Sequence, residues 1–403
     1  MQNSKIEWTE HTFNPWIGCT KVSPACAHCY AEGWAKRSGL VQWGAGAPRR
    51  RTAAWSGPVR WDRQSRIATD AWDRQKAQWQ ISDEEMVRRG FIKPRRPRVF
   101  ACSLGDWLDD EVPIEWLADF LCLIQDTPGL DWLLLTKRPE LWAARVSAAM
   151  VHLDSTVPRA GSIAEALANP AKFQRRQAAL WIAGWIEAAY PDRGMGRIPQ
   201  NIWVGTTVED QQRANERIPA LLAIPARVRF LSCEPLLGPV RLQMNAGHRF
   251  CKTCRGTGFY GDNFAGIQGN DEYTECDELI PRIDWVICGG ESGGPQSRPM
   301  HPEWVRALRK QCEMAKVPFF FKQWGDWMPE REDDEFSMDG DFPNGATLPA
   351  DWRQHPGEFV CLRPDGNRAS GYGDTNAQFL MRVGKKAAGR ILDGREWNES
   401  PTC

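Results

Sequence analysis

The sequence contains no run of eighteen apolar residues, and its first ten residues are polar where a secretory leader would carry an apolar core. Together these absences set an expectation of a cytoplasmic protein with no membrane partner. An excess of one charge is also missing, because 51 Lys and Arg balance 51 Asp and Glu. Net charge therefore says nothing about a polyanionic partner; only its distribution along the chain can. The third shortage is local. The stretch Trp16-Ile-Gly-Cys-Thr-Lys-Val-Ser-Pro-Ala-Cys-Ala-His-Cys-Tyr30 holds Cys19, Cys26 and Cys29 but no fourth cysteine. A structural zinc site closes its shell with four protein ligands, whereas a centre that binds substrate or cofactor keeps one position open.

At 403 residues the chain is long enough for one large domain with insertions or for two domains. Thirteen cysteines, clustered at short spacings in a chain of this size, predict metal binding rather than disulfides. Many of the 21 tryptophans are expected to be packing residues, since Trp is largely buried on average.

Charge is unevenly spread. Residues 41–98 carry fourteen basic and six acidic side chains, and interleave Arg49, Arg50, Arg51, Arg60, Arg63, Arg66, Arg95 and Arg96 with Trp43, Trp55, Trp61, Trp72 and Trp79. Cationic groups beside aromatic faces suit a phosphodiester-and-base ligand. A solvated face with packing tryptophans is the plainer alternative. Within this stretch, weak periodicity predicts a helix over residues 65–89.

Short apolar runs alternate with helical patterns along the rest of the chain. A first strand within residues 6–18 feeds the cysteine loop, and a helix follows from Tyr30. Runs starting at Arg98, Trp132, Ile202, Val228, Trp285 and Phe319 read as strands buried on both faces, most of them followed by an amphipathic helix. This alternation predicts an α/β fold with a parallel sheet in a partial or full (β/α) barrel. The barrel core is expected over residues 1–325, with insertions at 42–97 (basic, Trp-rich), 152–200 (helical) and 241–282 (Cys-rich), and a C-terminal appendage over 326–403 ending in a helix near 376–392.

Polar residues cluster where these strands end. Ser103 and Asp106 follow the second, Thr136, Lys137 and Arg138 the third, and Thr206, Thr207, Glu209 and Asp210 the fourth. Ser232, Cys233 and Glu234 follow the fifth, Gly289, Gly290, Glu291 and Ser292 the sixth, and Lys322, Gln323 and Trp324 the seventh. In open sheets and barrels alike the C-terminal strand ends form the active-site rim. In the 241–282 insertion, Cys251-Lys-Thr-Cys254 followed by Gly256 reads as a zinc-knuckle turn, and Cys276 with His248 completes a candidate set of four zinc ligands, with a second iron-sulfur cluster or free thiols as the alternatives.

Three thiolates hold a [4Fe-4S] cluster by three irons and leave the fourth iron free. With a following helix and repeated βα units, the chain resembles the radical S-adenosylmethionine superfamily. Its spacing is C-x6-C-x2-C with His28 before the third cysteine, where the superfamily carries C-x3-C-x2-C with an aromatic there. More closely, the stretches at 8–32, 135–139 (Leu-Thr-Lys-Arg-Pro), 204–211, 229–238, 285–293 and 319–325 (Phe-Phe-Phe-Lys-Gln-Trp-Gly) are similar to a phage and bacterial family of three-Cys-motif, radical-SAM-like proteins. The resemblance implies that Cys19, Cys26 and Cys29 ligate the cluster, and that a flavodoxin- or ferredoxin-type protein supplies electrons. It also implies that Gly289-Gly290-Glu291 corresponds to the superfamily's Gly-Gly-Glu, which meets the S-adenosylmethionine amino group. Ser103, Thr136, Lys137, Glu209, Glu234 and Lys322 are the further candidates for cofactor binding, the acids for hydroxyl or amino groups and the cations for carboxylate or phosphate.

The leading expectation is thus a radical S-adenosylmethionine enzyme acting on a nucleic acid or nucleotide. Two alternatives stand beside it. One is a zinc-binding nucleic-acid module in which His28 or Cys102 completes the first cysteine site. The other is a metal-dependent nucleotide hydrolase or nuclease built on the strand-end carboxylates.

Overall fold

The structure, a computed structural model, describes residues 2–155, 170–190, 196–242, 259–260, 274–275, 282–329, 359–369 and 377–401. Strands β1 (His11–Phe13) and β2 (Trp16–Ile17) lead into the cysteine loop, and α1 (Tyr30–Ser38) leaves it. The basic insertion holds β3 (Arg50–Arg51), α2 (Ser56–Trp79) and α3 (Asp83–Arg88). Then come β4 (Arg98–Ala101), α4 (Ile114–Asp126), β5 (Asp131–Thr136), α5 (Trp142–Ser155), α6 (Pro170–Glu187), β6 (Ile202–Thr207), α7 (Gln211–Leu222) and β7 (Val228–Cys233). A two-residue pair, β8 (Phe259–Tyr260) and β9 (Thr274–Glu275), precedes β10 (Trp285–Gly289), α8 (Pro302–Met314) and β11 (Phe319–Gln323). The chain closes with β12 (Trp327–Pro329), β13 (Phe359–Leu362), β14 (Gln378–Arg382) and α9 (Lys385–Ala388).

Seven of these strands form a sheet in the order β1-β4-β5-β6-β7-β10-β11. The pairings of β1 with β4, β4 with β5, β7 with β10 and β10 with β11 are all parallel. A mixed α/β fold with a parallel sheet is therefore what the apolar runs encode, and it is compatible with a partial (β/α) barrel. The reason is visible in burial: every residue of β6 and β10 is buried, so both strands open on uninterrupted apolar runs, Ile-Trp-Val and Trp-Val-Ile-Cys, rather than alternating ones. Among the described residues, no helix is long and apolar enough to cross a membrane.

The chain divides into two units, one made of Met1–Val22, Cys29–Gly205 and Ile224–Arg227, the other of Ser23–His28, Thr206–Ala223 and Val228–Cys403. In the first, aromatic rings fill the layer between sheet and helix. Phe120 of α4 meets Trp132 of β5 edge-on at 5.5 Å, and Phe13 of β1 meets the same indole at 5.9 Å. The helical insertion packs by tryptophan as well, Trp185 of α6 lying 5.4 Å from Trp142 of α5 and donating its indole N–H to the Pro225 carbonyl. In the second unit Trp285 of β10 contacts Phe230 of β7 and Phe320 of β11 at 6.0 and 6.1 Å.

Two helices differ from the sequence reading. The first insertion starts its helix at Ser56 and breaks near Gln80, giving α2 and α3 where one helix over 65–89 was expected. Gly57 and Pro58 look like helix breakers, but a proline in the first turn forfeits only an N–H that has no intrahelical partner. The break has its own cause, because Gln80 turns left-handed (φ +51°) and Ser82 recaps the chain by accepting the Glu85 N–H. At the C-terminus the helix expected near 376–392 is instead strand β14 and the single turn α9. Phe379, Leu380 and Met381 are buried between β12 and β13, both antiparallel to β14. A short apolar run carries no period that separates helix from strand. Nor do the last residues stand apart from the second unit: Phe321 donates to the Trp397 carbonyl at 2.9 Å, and the Phe319 N–H to the Glu399 carboxylate at 3.0 Å.

Helix α8 begins on a titratable cap. His301 accepts the Glu303 N–H on Nδ1 at 3.1 Å, and burial holds its imidazole below the ordinary value of 6.5. A depressed histidine pKa means that the unfolded chain takes up the proton first. Stability is therefore lost as pH falls from about 6.5 towards the folded-state value. His301→Asn, which keeps a capping acceptor and removes the titration, is expected to flatten urea midpoints between pH 7 and pH 5. An unchanged slope would show that His301 does not carry it.

Candidate functional site

In the first unit, the site is built where β2, β4 and β5 end. Gly18 sits at φ +115° and donates its N–H to the Leu104 carbonyl; a Cβ there would lie 3.0 Å from Arg49 Cδ. That close approach fixes where the cysteine loop begins. Cys19 follows, its sulfur 3.6 Å from Arg138 Nη1. Arg138 is held after β5 by the Asp106 carboxylate at 3.1 Å and the Thr20 carbonyl at 2.9 Å. Asp106 in turn accepts the Thr136 hydroxyl at 2.7 Å and the Lys137 N–H at 2.9 Å, so the loops after β4 and β5 share one carboxylate.

Burial first, then Asp106, push the Cys19 thiol up to about 12 against the pull of Arg138. Burial alone would lower Arg138, but Asp106 and the other neighbours outweigh it and raise the guanidinium further. Cys29 is the N-cap residue of α1. The next residue, Tyr30, donates its hydroxyl to the Ser103 carbonyl, and the Ser103 side chain accepts the Asn14 amide at 3.0 Å. The start of α1 is thereby tied to the end of β4.

In the second unit, residues 23–28 include a 3-10 turn (Pro24–Cys26) that carries Cys26, whose sulfur is 3.8 Å from the Ser23 hydroxyl. Glu209, fully buried after β6, accepts the Ala25 N–H at 3.4 Å and pairs with Arg217 of α7 at 2.8 Å. His28 Nδ1 lies 3.2 Å from Glu291 Oε2. Arg298 clamps that carboxylate with its backbone N–H at 2.7 Å and with its guanidinium on both oxygens. Burial would raise the Glu291 pKa, but Arg298 and His28 hold it below the ordinary range.

Nearby, Glu234 receives Lys322 Nζ at 2.7 and 2.9 Å and the Gln323 amide at 3.1 Å. Gly289 faces this carboxylate, a Cβ there lying 3.3 Å from Glu234 Cδ. Gly290 has a backbone cause of its own, because a Cβ would come within 1.9 Å of the Trp324 carbonyl.

The chain matches, over residues 3–401, a family described as a protein of unknown function (DUF5131). It belongs to the DUF5131 family. No curated protein and no solved structure matches it. The sites of this DUF5131 chain therefore have to be read from their own chemistry.

That chemistry sorts the sequence-predicted residues into sets. The first unit brings together Cys19, Thr136 and Lys137 around Asp106 and Arg138, and Ser103 with Tyr30 and Asn14. The second brings Glu209 to the Cys26 turn, Glu291 to His28, and Glu234 to Lys322, Gln323 and Gly289. His248, Cys251, Cys254 and Cys276 lie outside the described residues. Sequence reasoning missed Tyr30, Arg217, Arg298 and Asp326 as partners. Asp326 accepts the Gly293 and Gly294 N–H groups at 2.9 and 2.8 Å and so fixes the turn after Glu291. None of the four stands at a spacing that signals its contact.

Among the described residues no group of three His, Cys, Asp or Glu side chains is gathered to hold a metal ion. The fit of a metal cluster is accordingly one of donor chemistry: three soft thiols within eleven residues of chain, the set that iron-sulfur clusters take. A polar cofactor has its own fit. Thr207 Oγ1 and Gln323 Oε1, buried at the ends of β6 and β11, have no hydrogen-bond partner among the described residues. Buried polar atoms in that state are rare, and an ordered water or a ligand with hydroxyl or amino groups satisfies them.

Proposed function

We propose that this DUF5131 chain is a radical S-adenosylmethionine enzyme that modifies a nucleic acid or nucleotide, with Cys19, Cys26 and Cys29 as ligands of a [4Fe-4S] cluster. The observation that carries the reading is the seating of the cysteine loop. In each unit its residues bond to that unit's own strand ends: Cys19 to Arg138, Tyr30 to Ser103, Ala25 to Glu209 and His28 to Glu291. Strand ends of this kind are where α/β folds work.

A bound cluster would supply one electron to cleave the sulfonium of S-adenosylmethionine, giving a 5′-deoxyadenosyl radical that abstracts hydrogen. The chain's own residues do the rest. Arg138 sets a fixed cation beside the Cys19 sulfur, which favours its thiolate once a metal displaces the proton. Glu209 and Arg217 hold the Cys26 turn in place without a solvent-exposed charge. Lys322, Glu234 and Gln323 form a paired polar group suited to an amino acid's carboxylate and ammonium. Thr136 and Lys137 in the first unit, and Gly289, Gly290 and Glu291 in the second, are the further candidates for cofactor contact, and electrons would come from a flavodoxin- or ferredoxin-type partner.

Anaerobic purification tests this directly. The expected protein is brown, holds about four irons per chain, and releases 5′-deoxyadenosine from S-adenosylmethionine under a strong reductant. A colourless chain holding zinc alone after anaerobic reconstitution would sink the proposal and favour the zinc module.

A further inference from the structure

We infer that a cavity of the first unit, lined by β1, α1 and the first turns of α2, binds an unpaired base of a single-stranded nucleic acid. The cavity measures about 380 Å³. Binding pockets for small ligands run from about 300 to 1,000 Å³, so one base with its sugar is of the right order. Its walls include Phe13, Trp34, Trp61 and Leu104, with Arg60 among the lining residues. Phe13 and Trp61 are buried, while Trp34 is half-exposed and presents part of its indole. Trp61 is stacked on His11 at 4.3 Å and forms the buried side of the wall. The part-exposed Trp34 indole offers a flat face to a planar ring, which describes a nucleobase.

Charge selects a strand over a free base. The cations of this basic insertion fall into two groups. Arg49 is buried against Asp109, and Arg51 pairs with Asp119, so neither is a free phosphate contact. Arg60 and Arg63 are exposed with no ion-pair partner among the described residues. At helical spacing Arg60, Arg63 and Arg74 fall on one exposed face of α2, with Asp70 at its edge. From Arg60 to Arg74 the helix rises about 21 Å, the reach of several nucleotides rather than one. A strand can therefore place one base in the cavity and run its phosphates along α2.

The inference names the substrate class of the proposed enzyme but rests on the cavity alone and needs no cluster. Fluorescence anisotropy with labelled decathymidylate tests it. Trp34→Ala should weaken binding about tenfold with the salt slope unchanged, and Trp34→Phe should recover most of the loss. Arg60→Ala combined with Arg63→Ala should lower the slope of log K against log salt by about 1.4. An abasic decamer should bind as weakly to the wild type as decathymidylate does to Trp34→Ala. The idea fails if abasic and thymidine decamers bind alike, if Trp34→Ala binds normally, or if thymidine 5′-monophosphate competes as well as the decamer. Absence of 5′-deoxyadenosine release from the wild type, with strand binding intact, would remove the radical proposal and leave the pocket standing.

Discussion

Arg49→Ala is expected to lower the unfolding free energy by about 3–5 kcal/mol, the cost of leaving a buried charge without its partner. Arg51→Ala, two residues on, is expected to cost less than about 1 kcal/mol. Sequence treats the two arginines alike; structure does not. The Arg49 guanidinium is inaccessible, as is the Asp109 carboxylate that it meets at 2.7 Å. It also donates to the Gly44 and Ala47 carbonyls at 3.0 and 2.8 Å and to the Thr20 hydroxyl at 2.8 Å. Arg51 and its partner Asp119 are both partly exposed, so solvent screens them. Urea unfolding of the two variants at one pH gives the comparison. Equal losses would show that the buried pair is not the anchor of this segment. The double replacement Arg49→Met with Asp109→Leu should recover much of the loss, because it removes the stranded charge as well.

The same pair shows what a sequence does and does not disclose. Strands were legible because burial on both faces leaves an uninterrupted apolar run, as in Trp-Leu-Leu-Leu of β5. Helix starts were legible where a side chain caps them: Asp210 accepts the Arg213 N–H at 2.9 Å, one residue ahead of α7. Arg49 gave no such signal. Its basic neighbours suggested a nucleic-acid surface, whereas the acid that buries it lies sixty residues later. Trp61 and Trp72 likewise belong to the core rather than to an open aromatic face. What survives of the basic surface is the part that faces away from that core, on α2.

At the candidate site, residue types were legible and pairings were not. A glutamate after β6 was expected, but not that Arg217 would neutralise it from the next helix. Glu291 is a candidate for hydroxyl or amino groups by sequence, but its pairing with Arg298 through both oxygens has no signal there. Such pairings depend on how loops close in space, and loop closure leaves no periodic trace in the chain. The cysteine loop differs because all of its donors lie within one short stretch, so proximity is guaranteed before any fold is known.

That proximity makes the cysteine series the most discriminating set of variants. Cys19→Ala, Cys26→Ala and Cys29→Ala are each expected to lose bound iron and to reduce 5′-deoxyadenosine release to background. The circular dichroism of each should stay that of the wild type. Every change removes one sulfur from a loop whose backbone is held by other groups: Gly18 to Leu104 before Cys19, Cys26 N–H to the Ser23 carbonyl, and Gly33 to the Cys29 carbonyl. Cys102→Ala separates a three-thiol centre from a zinc site that Cys102 closes. Cys102 is buried beside Asp106, and burial holds its thiol well above the ordinary range. With three ligands and an open iron, Cys102→Ala keeps its iron and its cleavage activity. If it loses metal as completely as Cys26→Ala does, the shell is closed by protein and no position remains for S-adenosylmethionine.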